Sequence, residues 1–283
     1  MEKQDYIDIV NDKMNNDNSK NIMIKQINEY YDILEKYKLQ NHNYNIGDLV
    51  YLKKGTLLHG TYKNLEGLRE IVNHGLIASL FANARTSKYP GCVGVWNLKQ
   101  DYYLKDYINF YSGGTIKYSG LLKNLEYSQQ VKTEIIPYNK MVLINDYIMK
   151  NPCRIWNVEQ TKEARFMPSL VQDMVQIGII FNGNNEGVIK LLKGDILNSN
   201  VISDDDIKEF VNEYYYEKFI IDRKNKDDFF TDRESAILFG IPANLIEGIL
   251  VGRSYEKNPE ILNEIKQSLP NCYICNLDGK VIY

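Results

Sequence analysis

Apolar residues recur at helical spacing near the start of the chain. Residues 21–39 place isoleucine, tyrosine and leucine side chains on one side of a helix, and lysine and glutamate on the other. Residues 11–20 are rich in Asn, Asp, Lys and Ser, a composition that is typical of a loop. The pattern predicts a helical N-terminal extension over residues 1–45.

From residue 46 onward the apolar runs become short, and turn residues separate them. Gly75 is expected to end a helix, because glycine accepts the positive φ found just beyond a helix. The predicted strands are residues 49–52, 56–59, 93–96, 174–181, 186–192, 236–239, 248–251, 272–275 and 280–283, and the predicted helices are residues 65–73, 101–111, 204–219 and 259–268.

This mixture of short strands and helices lacks the regular alternation of a parallel α/β fold. The predicted fold class is therefore α+β, with a mostly antiparallel sheet. The chain divides into the N-terminal extension and one larger domain over residues 46–283.

The composition is that of a globular protein, with 44% hydrophobic and 25% charged residues. A formal net charge of -3 and a pI near 5.8 exclude the broad positive field of a dedicated duplex-DNA-binding protein. Cys272 and Cys275 form a Cys-x-x-Cys pair, but no second pair or histidine cluster follows to complete a zinc site. No metal site is predicted, and both cysteines are expected to be buried in a strand.

The first residues are charged and lack the apolar core of a signal peptide. No apolar run approaches the ~18 residues that span a bilayer. The expected location is therefore the cytoplasm, or a host cell that the protein enters without a conventional signal peptide.

Three features contain residue types that are suited to chemistry. The first is His59-Gly60-Thr61 at a predicted strand end, where a ring nitrogen and a hydroxyl can bind a ligand close to the backbone. The second is Glu234, ahead of an apolar strand, where a carboxylate can stabilise positive charge. The third is the aromatic stretch 96–111, whose rings can stack on nicotinamide or a base. Each also has a structural interpretation: a core histidine, a charged loop and a tyrosine-rich core helix.

Taken in order, these features resemble one family. His-Gly-Thr, a helix ending in Gly-Leu-Ile-Ala, the run Gly91–Trp96, a tyrosine and a late glutamate are together similar to the ADP-ribosyltransferase fold. The similarity is greatest to its histidine-tyrosine-glutamate branch, which includes diphtheria toxin and the poly(ADP-ribose) polymerases. The segment after residue 231 also resembles the end of bacterial DNA-modifying ADP-ribosyltransferase toxins. The resemblance covers residues 49–120 and 228–252 and lies in the order of short motifs.

The resemblance implies that NAD is the co-substrate. His59 would bind a ribose hydroxyl of NAD, the Gly60 backbone would fix the nicotinamide side, and Thr61 would assist on the adenosine side. Glu234 would hydrogen-bond the nicotinamide ribose, stabilise the positive charge that develops as nicotinamide leaves, and activate the acceptor.

Three more residues receive roles from the same resemblance. Trp96 and Tyr107 would stack on the two faces of the nicotinamide ring. Arg85 would pair with the diphosphate, since a guanidinium matches phosphate oxygens.

The chain also departs from the family pattern. Trp96 stands where the family usually has tyrosine. The distance from Tyr107 to Glu234 implies an insertion near residues 120–170. No Glu-x-Glu precedes the last motif, which argues against the arginine-modifying toxins, and transfer of a single ADP-ribose is the simpler expectation.

The sequence therefore predicts a bacterial mono-ADP-ribosyltransferase toxin or effector with a protein acceptor, for which a host protein such as ubiquitin is one candidate. The acidic pI favours a protein over nucleic acid as the acceptor. The oligomeric state is not indicated.

Three alternatives remain. A DNA or RNA base could be the acceptor, with Lys99, Lys105 and Lys117 as candidate contacts. An RNA 2'-phosphotransferase would need an Arg-His-Arg set, which is difficult to supply from three histidines. The chain could also be an inactive binding module.

Overall fold

The structure, a computed structural model, describes residues 1–38, 42–62, 65–82, 89–105, 176–200, 202–224 and 233–283. The helices in these ranges are α1 (Lys3–Lys13), α2 (Asp17–Lys36), α3 (Leu65–His74), α4 (Glu186–Leu192), α5 (Asp204–Ile207), α6 (Glu213–Lys224), α7 (Arg253–Glu256) and α8 (Pro259–Ser268). The strands are β1 (Tyr51–Leu52), β2 (Leu57–Tyr62), β3 (Leu76–Ile77), β4 (Cys92–Asn97), β5 (Tyr102–Tyr103), β6 (Gln176–Phe181), β7 (Arg233–Leu238), β8 (Gly240–Ile241), β9 (Ile246–Val251) and β10 (Tyr273–Cys275). The insertion that we expect near 120–170 lies outside the described residues.

Six strands form one mixed sheet in the order β10-β9-β6-β2-β4-β7. All neighbours in this sheet are antiparallel except β9 and β10. Two small ribbons, β1 with β5 and β3 with β8, accompany it. The predicted α+β class with a mostly antiparallel sheet is thereby confirmed.

The sheet separates two hydrophobic clusters, because successive side chains along a strand point to opposite faces. Leu57 and Ile179 belong to the larger cluster, which also includes buried residues of α1 and α2. The next residues, Leu58 and Ile180, belong to the smaller cluster, beside β1 and β10.

Helix α1 packs onto the larger cluster. Tyr6, Val10 and Met14 follow one another at intervals of four residues, so they share one side of the helix and its end, and all three are buried. The predicted loop over residues 11–20 is therefore wrong except at residues 14–16, which separate α1 from α2. The helix predicted over residues 21–39 is confirmed as α2, although it begins and ends earlier than expected.

Aromatic residues of both N-terminal helices hold the end of β7. Phe239 follows this strand with a φ of 65°, a conformation that a bulky residue rarely adopts. Its ring is fully buried, and Tyr6, Tyr30 and Phe81 meet it edge-on with ring centroids 4.9 to 5.0 Å away. The N-terminal helices thus contact the residue that follows the C-terminal end of β7, and β7 is the strand that contains Glu234.

Replacement of Ile27 tests whether the helices and the sheet fold as one unit. Ile27 lies in α2, is fully buried and belongs to the larger cluster. Ile27→Ala should lower the free energy of unfolding by about 2–5 kcal/mol, because it removes buried methyl groups and leaves a cavity. Urea denaturation followed by circular dichroism should show one cooperative transition at a lower midpoint. Two separate transitions would contradict a shared core.

Residues 186–192 form helix α4, so the strand predicted there is wrong. Asn185 caps the helix by accepting a hydrogen bond from the N–H of Gly187, 2.8 Å away. Val188 and Leu191 are buried three residues apart, which is helical spacing. The polar cap and these buried contacts together favour a helix over a strand here.

Two further predictions need correction. The single helix predicted over 204–219 is two helices, α5 and α6, although Ser203 caps the first as expected by accepting from the N–H of Asp206. The helix predicted over 101–111 begins as a strand, because Tyr102 and Tyr103 pair with β1. The remainder of that segment, beyond residue 105, lies outside the described residues.

Several predicted elements are confirmed. Helix α8 has the predicted bounds, and β4 and β6 lie where strands are expected. Gly75 ends α3 with a φ of 81°, and a Cβ there would stand 2.1 Å from the carbonyl oxygen of Ile241. Cys272 and Cys275 are fully buried at β10, as expected. No helix in the part of the chain that the structure describes is long and apolar enough to cross a membrane.

Candidate functional site

The candidate site lies where β2 leaves β4. The two strands pair at Leu57 and Leu58, opposite Asn97 and Trp96. At the next position the ring of His59 turns to the β4 backbone, and its Nδ1 lies 2.7 Å from the carbonyl oxygen of Gly94. The imidazole thus contacts β4 where the two strands no longer pair.

This contact sets the tautomer of His59. A carbonyl oxygen can only accept, so Nδ1 must carry the proton and donate it to Gly94. In the neutral ring Nε2 is then the acceptor nitrogen. A ring held in this way suits a ligand hydroxyl that donates to Nε2.

Glu234 approaches the same glycine from the other neighbouring strand. It lies within β7, opposite Trp96 in the antiparallel register, rather than ahead of the strand as the sequence suggests. Its Oε1 is 2.9 Å from the point that a Cβ on Gly94 would occupy. Glycine at position 94 therefore leaves room for the carboxylate.

His59 and Glu234 reach Gly94 from different directions. Leu58, Trp96 and Glu234 are directly paired across β2, β4 and β7, so their side chains leave the same face of the sheet. His59 follows Leu58 in β2, and its side chain therefore leaves the opposite face. Each functional group lies against Gly94, beyond the last residue pair that joins β2 and β4. The imidazole contacts the glycine carbonyl, and the carboxylate lies on the side where a Cβ would stand.

Tyr89 is a member of the site that the sequence analysis missed. Its hydroxyl donates to Oε2 of Glu234 at 3.1 Å, and its ring is buried edge-on against Phe219, 5.6 Å between centroids. This bond orients the carboxylate, because a buried tyrosine has few alternative positions. Tyr89 lies two residues ahead of the run Gly91–Trp96, but nothing in its local sequence distinguishes it from other tyrosines.

Trp96 lies opposite Glu234 in the sheet, and Gly60 follows His59 in β2. Trp96 stands beside Glu234 in the register, is half-buried and packs against the smaller cluster. Gly60 is buried and faces Gly178 across β2 and β6, so no side chain projects from either position. Next to His59, β2 and β6 therefore meet without an intervening side chain at this pair.

A buried carboxylate supports β7 from its outer edge. Oδ1 of Asp195 accepts hydrogen bonds from the N–H of Ala236 at 2.9 Å and of Leu197 at 3.1 Å, and Oδ2 accepts from the amide of Asn198. The neighbouring residue Ile196 also donates its N–H to the carbonyl oxygen of Ala236 at 3.0 Å. The segment around Asp195 therefore pairs with β7 two residues beyond Glu234.

Asp195 should make stability depend on pH. Burial raises the pKa of its carboxyl above the usual 3.8. The fold thus favours the protonated form, so the stabilisation is complete below pH 3.8 and is lost as the pH rises through the raised pKa. Asp195→Asn keeps an acceptor for both N–H groups and cannot ionise. As the pH is raised from 3.8 towards neutrality, urea titrations should show the variant gaining stability relative to the wild type; a difference independent of pH would contradict this.

Three residues of the predicted site are not placed. The backbone of Thr61 pairs with Ile177 in β2, but its side chain lies outside the described part of the structure. Arg85 and Tyr107 also lie outside the described residues. The candidate site therefore consists of His59, Gly60, Trp96 and Glu234 from the prediction, together with Gly94, Tyr89 and Asp195.

The titratable groups around the site do not form a metal centre. Within the described ranges, no group of three or more His, Cys, Asp or Glu side chains is placed to hold a metal ion. Burial raises the pKa of the Cys92 thiol well above its usual value, and Asp195 adds to this effect, so the thiolate is disfavoured. The described side chains of the site offer an imidazole, a carboxylate, a phenol and an indole ring.

This set of groups suits a ligand with hydroxyls and a flat ring. The imidazole can accept from a hydroxyl, the carboxylate can stabilise positive charge, and the indole can stack. No family model matches the chain, and no curated protein and no solved structure is found to be similar to it.

Proposed function

We propose that this chain is a mono-ADP-ribosyltransferase, which moves ADP-ribose from NAD to an acceptor and releases nicotinamide. The observation that supports the proposal is the convergence of His59 and Glu234 on Gly94, beside Trp96.

In this proposal the residues present fit NAD through an imidazole, a carboxylate and an indole ring near a glycine-containing backbone. His59 binds a ribose hydroxyl through Nε2, and the buried backbone of Gly60 receives the nicotinamide side. Trp96 stacks on the nicotinamide ring. By resemblance, Thr61, Arg85 and Tyr107 contribute the adenosine contact, the diphosphate contact and the second ring.

The bond that breaks joins a ribose carbon of NAD to the nicotinamide nitrogen, and its electron pair leaves with nicotinamide. Glu234 stabilises the positive charge that develops on the ribose. It also accepts the proton of the attacking acceptor group as the new bond to the ribose carbon forms. Tyr89 holds the carboxylate in position for both tasks through its hydrogen bond.

The proposed acceptor is a protein side chain, and a toxin or effector role in a host cell follows from the resemblance. The net charge of -3 supports a protein acceptor over a nucleic acid, because the molecule as a whole lacks the broad positive field that attracts a long duplex. A host protein such as ubiquitin remains the candidate.

The test combines NAD turnover with identification of the product. Wild-type protein and Glu234→Ala are incubated with NAD and a host-cell lysate, and adducts are sought by mass spectrometry. We expect ADP-ribose on a protein with the wild type and none with the variant. Wild-type protein that neither releases nicotinamide nor labels protein or nucleic acid would overturn the proposed function.

A further inference from the structure

The ribbon of β1 and β5 has one buried and one exposed face. Leu52 and Tyr102 stand opposite each other and pack against the smaller hydrophobic cluster. Tyr51 and Tyr103 form the neighbouring pair and therefore share the other face. Their side chains are 36% and 47% exposed, with ring centroids 5.0 Å apart. Two large aromatic rings thus lie together on the protein surface.

Cationic side chains surround these rings. The ammonium group of Lys53 lies 4.6 Å from the centre of the Tyr51 ring, and that of Lys105 lies 5.9 Å from the Tyr103 ring. Lys54 is exposed next to Lys53. Among the described residues of the ribbon and its flanks, three lysines and the carboxylate of Asp101 give a positive balance on a chain whose net charge is -3.

Asp101 holds the patch in shape. Its carboxylate accepts from the N–H of Lys54 at 2.7 Å and from the hydroxyl of Tyr51 at 3.2 Å, and it lies 3.8 Å from the ammonium of Lys53. The Lys54 N–H holds the pKa of the carboxyl below its usual value, so the charge persists at neutral pH. The Tyr51 ring and the Lys54 backbone are therefore held in position before any partner arrives.

We propose that Tyr51, Tyr103 and the surrounding Lys53, Lys54 and Lys105 bind a short stretch of single-stranded nucleic acid. The tyrosine rings stack on bases, and the ammonium groups contact phosphates. A duplex keeps its bases stacked within the helix and has no faces for the tyrosines. The Lys53 side chain is 66% exposed and can move from the Tyr51 ring to a phosphate. The cost is small, because an exposed cation–π contact is weaker than base stacking.

The binding proposal does not rest on the proposed function. Both tyrosines belong to the ribbon, whereas the candidate catalytic groups belong to the central sheet. Binding can therefore be measured without NAD, and the result stands whether or not the chain transfers ADP-ribose.

The test is fluorescence anisotropy with labelled oligothymidylate and oligouridylate of about ten nucleotides, titrated with the full chain. We expect Tyr103→Ala to weaken binding about tenfold, which is about 1.4 kcal/mol, and Tyr103→Phe to bind as the wild type does. Lys53→Ala should reduce the slope of log affinity against log salt by about 0.7, the value for one phosphate of a single strand. The two probes also distinguish DNA from RNA.

Two comparisons make the outcome decisive. Tyr214→Ala removes a tyrosine that is 86% exposed on α6, and it should leave binding unchanged. A duplex of the same length should bind more weakly than the single strand. The proposal is overturned if the wild type does not bind either probe, if Tyr103→Ala binds as well as the wild type, or if polyglutamate competes as strongly as oligothymidylate, which would indicate an acidic protein partner.

Discussion

Replacement of Glu234 by glutamine is expected to lower the turnover number for nicotinamide release about a hundredfold or more. The amide keeps the shape of the side chain and still accepts from the Tyr89 hydroxyl, so the fold should persist. It cannot supply the negative charge that stabilises the ribose as nicotinamide leaves, nor accept the acceptor's proton. The measurement is steady-state release of nicotinamide from NAD, with the thermal midpoint recorded in parallel.

Glu70→Gln is the matched control for this change. Its carboxylate lies on α3 with 71% of the side chain exposed, outside the candidate site. The same loss of one charge there should leave turnover within a factor of about two. If Glu234→Gln retains wild-type turnover, Glu234 is not the catalytic carboxylate.

Gly94→Ala should separate activity from stability. A Cβ at this position would stand 2.9 Å from Oε1 of Glu234, so the flexible end of that side chain must move. A displacement of this kind costs about a hundredfold in turnover, because the carboxylate no longer meets the reacting ribose. The backbone of a strand accepts alanine readily, and the free energy of unfolding should change by no more than about 1 kcal/mol. Turnover and urea denaturation on the same preparation give both values.

Gly187→Ala provides the contrasting change. In α4 a Cβ would lie 3.0 Å from Leu245 and 3.1 Å from Ile33, so the new methyl group meets the core and not the site. Packing should change while turnover remains that of the wild type. Equal losses of turnover in the two variants would indicate that Gly94 has no special relation to Glu234.

The strands that contain the site could be predicted because their patterns are local. The run Gly91–Trp96 combines small and apolar residues over six positions, and β4 covers most of it. His59 also follows two apolar residues, Leu57 and Leu58, which enter hydrophobic clusters on opposite faces of the sheet. Such runs indicate a central strand without knowledge of its neighbours.

Short segments were less predictable, since their apolar residues fit more than one structure. Residues 186–192 contain apolar side chains that suit a strand, but the Asn185 cap and the burial of Val188 and Leu191 against α2 and β7 favour a helix. Tyr102 and Tyr103 look like part of a helix in sequence, and the pairing with β1 makes them a strand. Tertiary contacts decide both cases.

The supporting residues of the site leave no trace in the sequence. Tyr89 meets Glu234 across 145 positions of chain, and Asp195 meets Ala236 across 41. The direction from which His59 reaches Gly94 depends on where β2 and β4 separate, which is a property of the sheet. These contacts depend on the order of the strands in the sheet, which no single segment of the sequence determines.

The most direct test of the proposed NAD site uses the small number of histidines. The chain has three, His42, His59 and His74, so the ring signals of protein labelled with ¹⁵N-histidine can be followed by NMR during titration with NAD. We predict that the His59 signals shift and saturate with NAD, that those of His42 and His74 remain, and that the shift shrinks in Gly94→Ala. Saturating NAD that leaves the His59 signals unmoved would contradict the account.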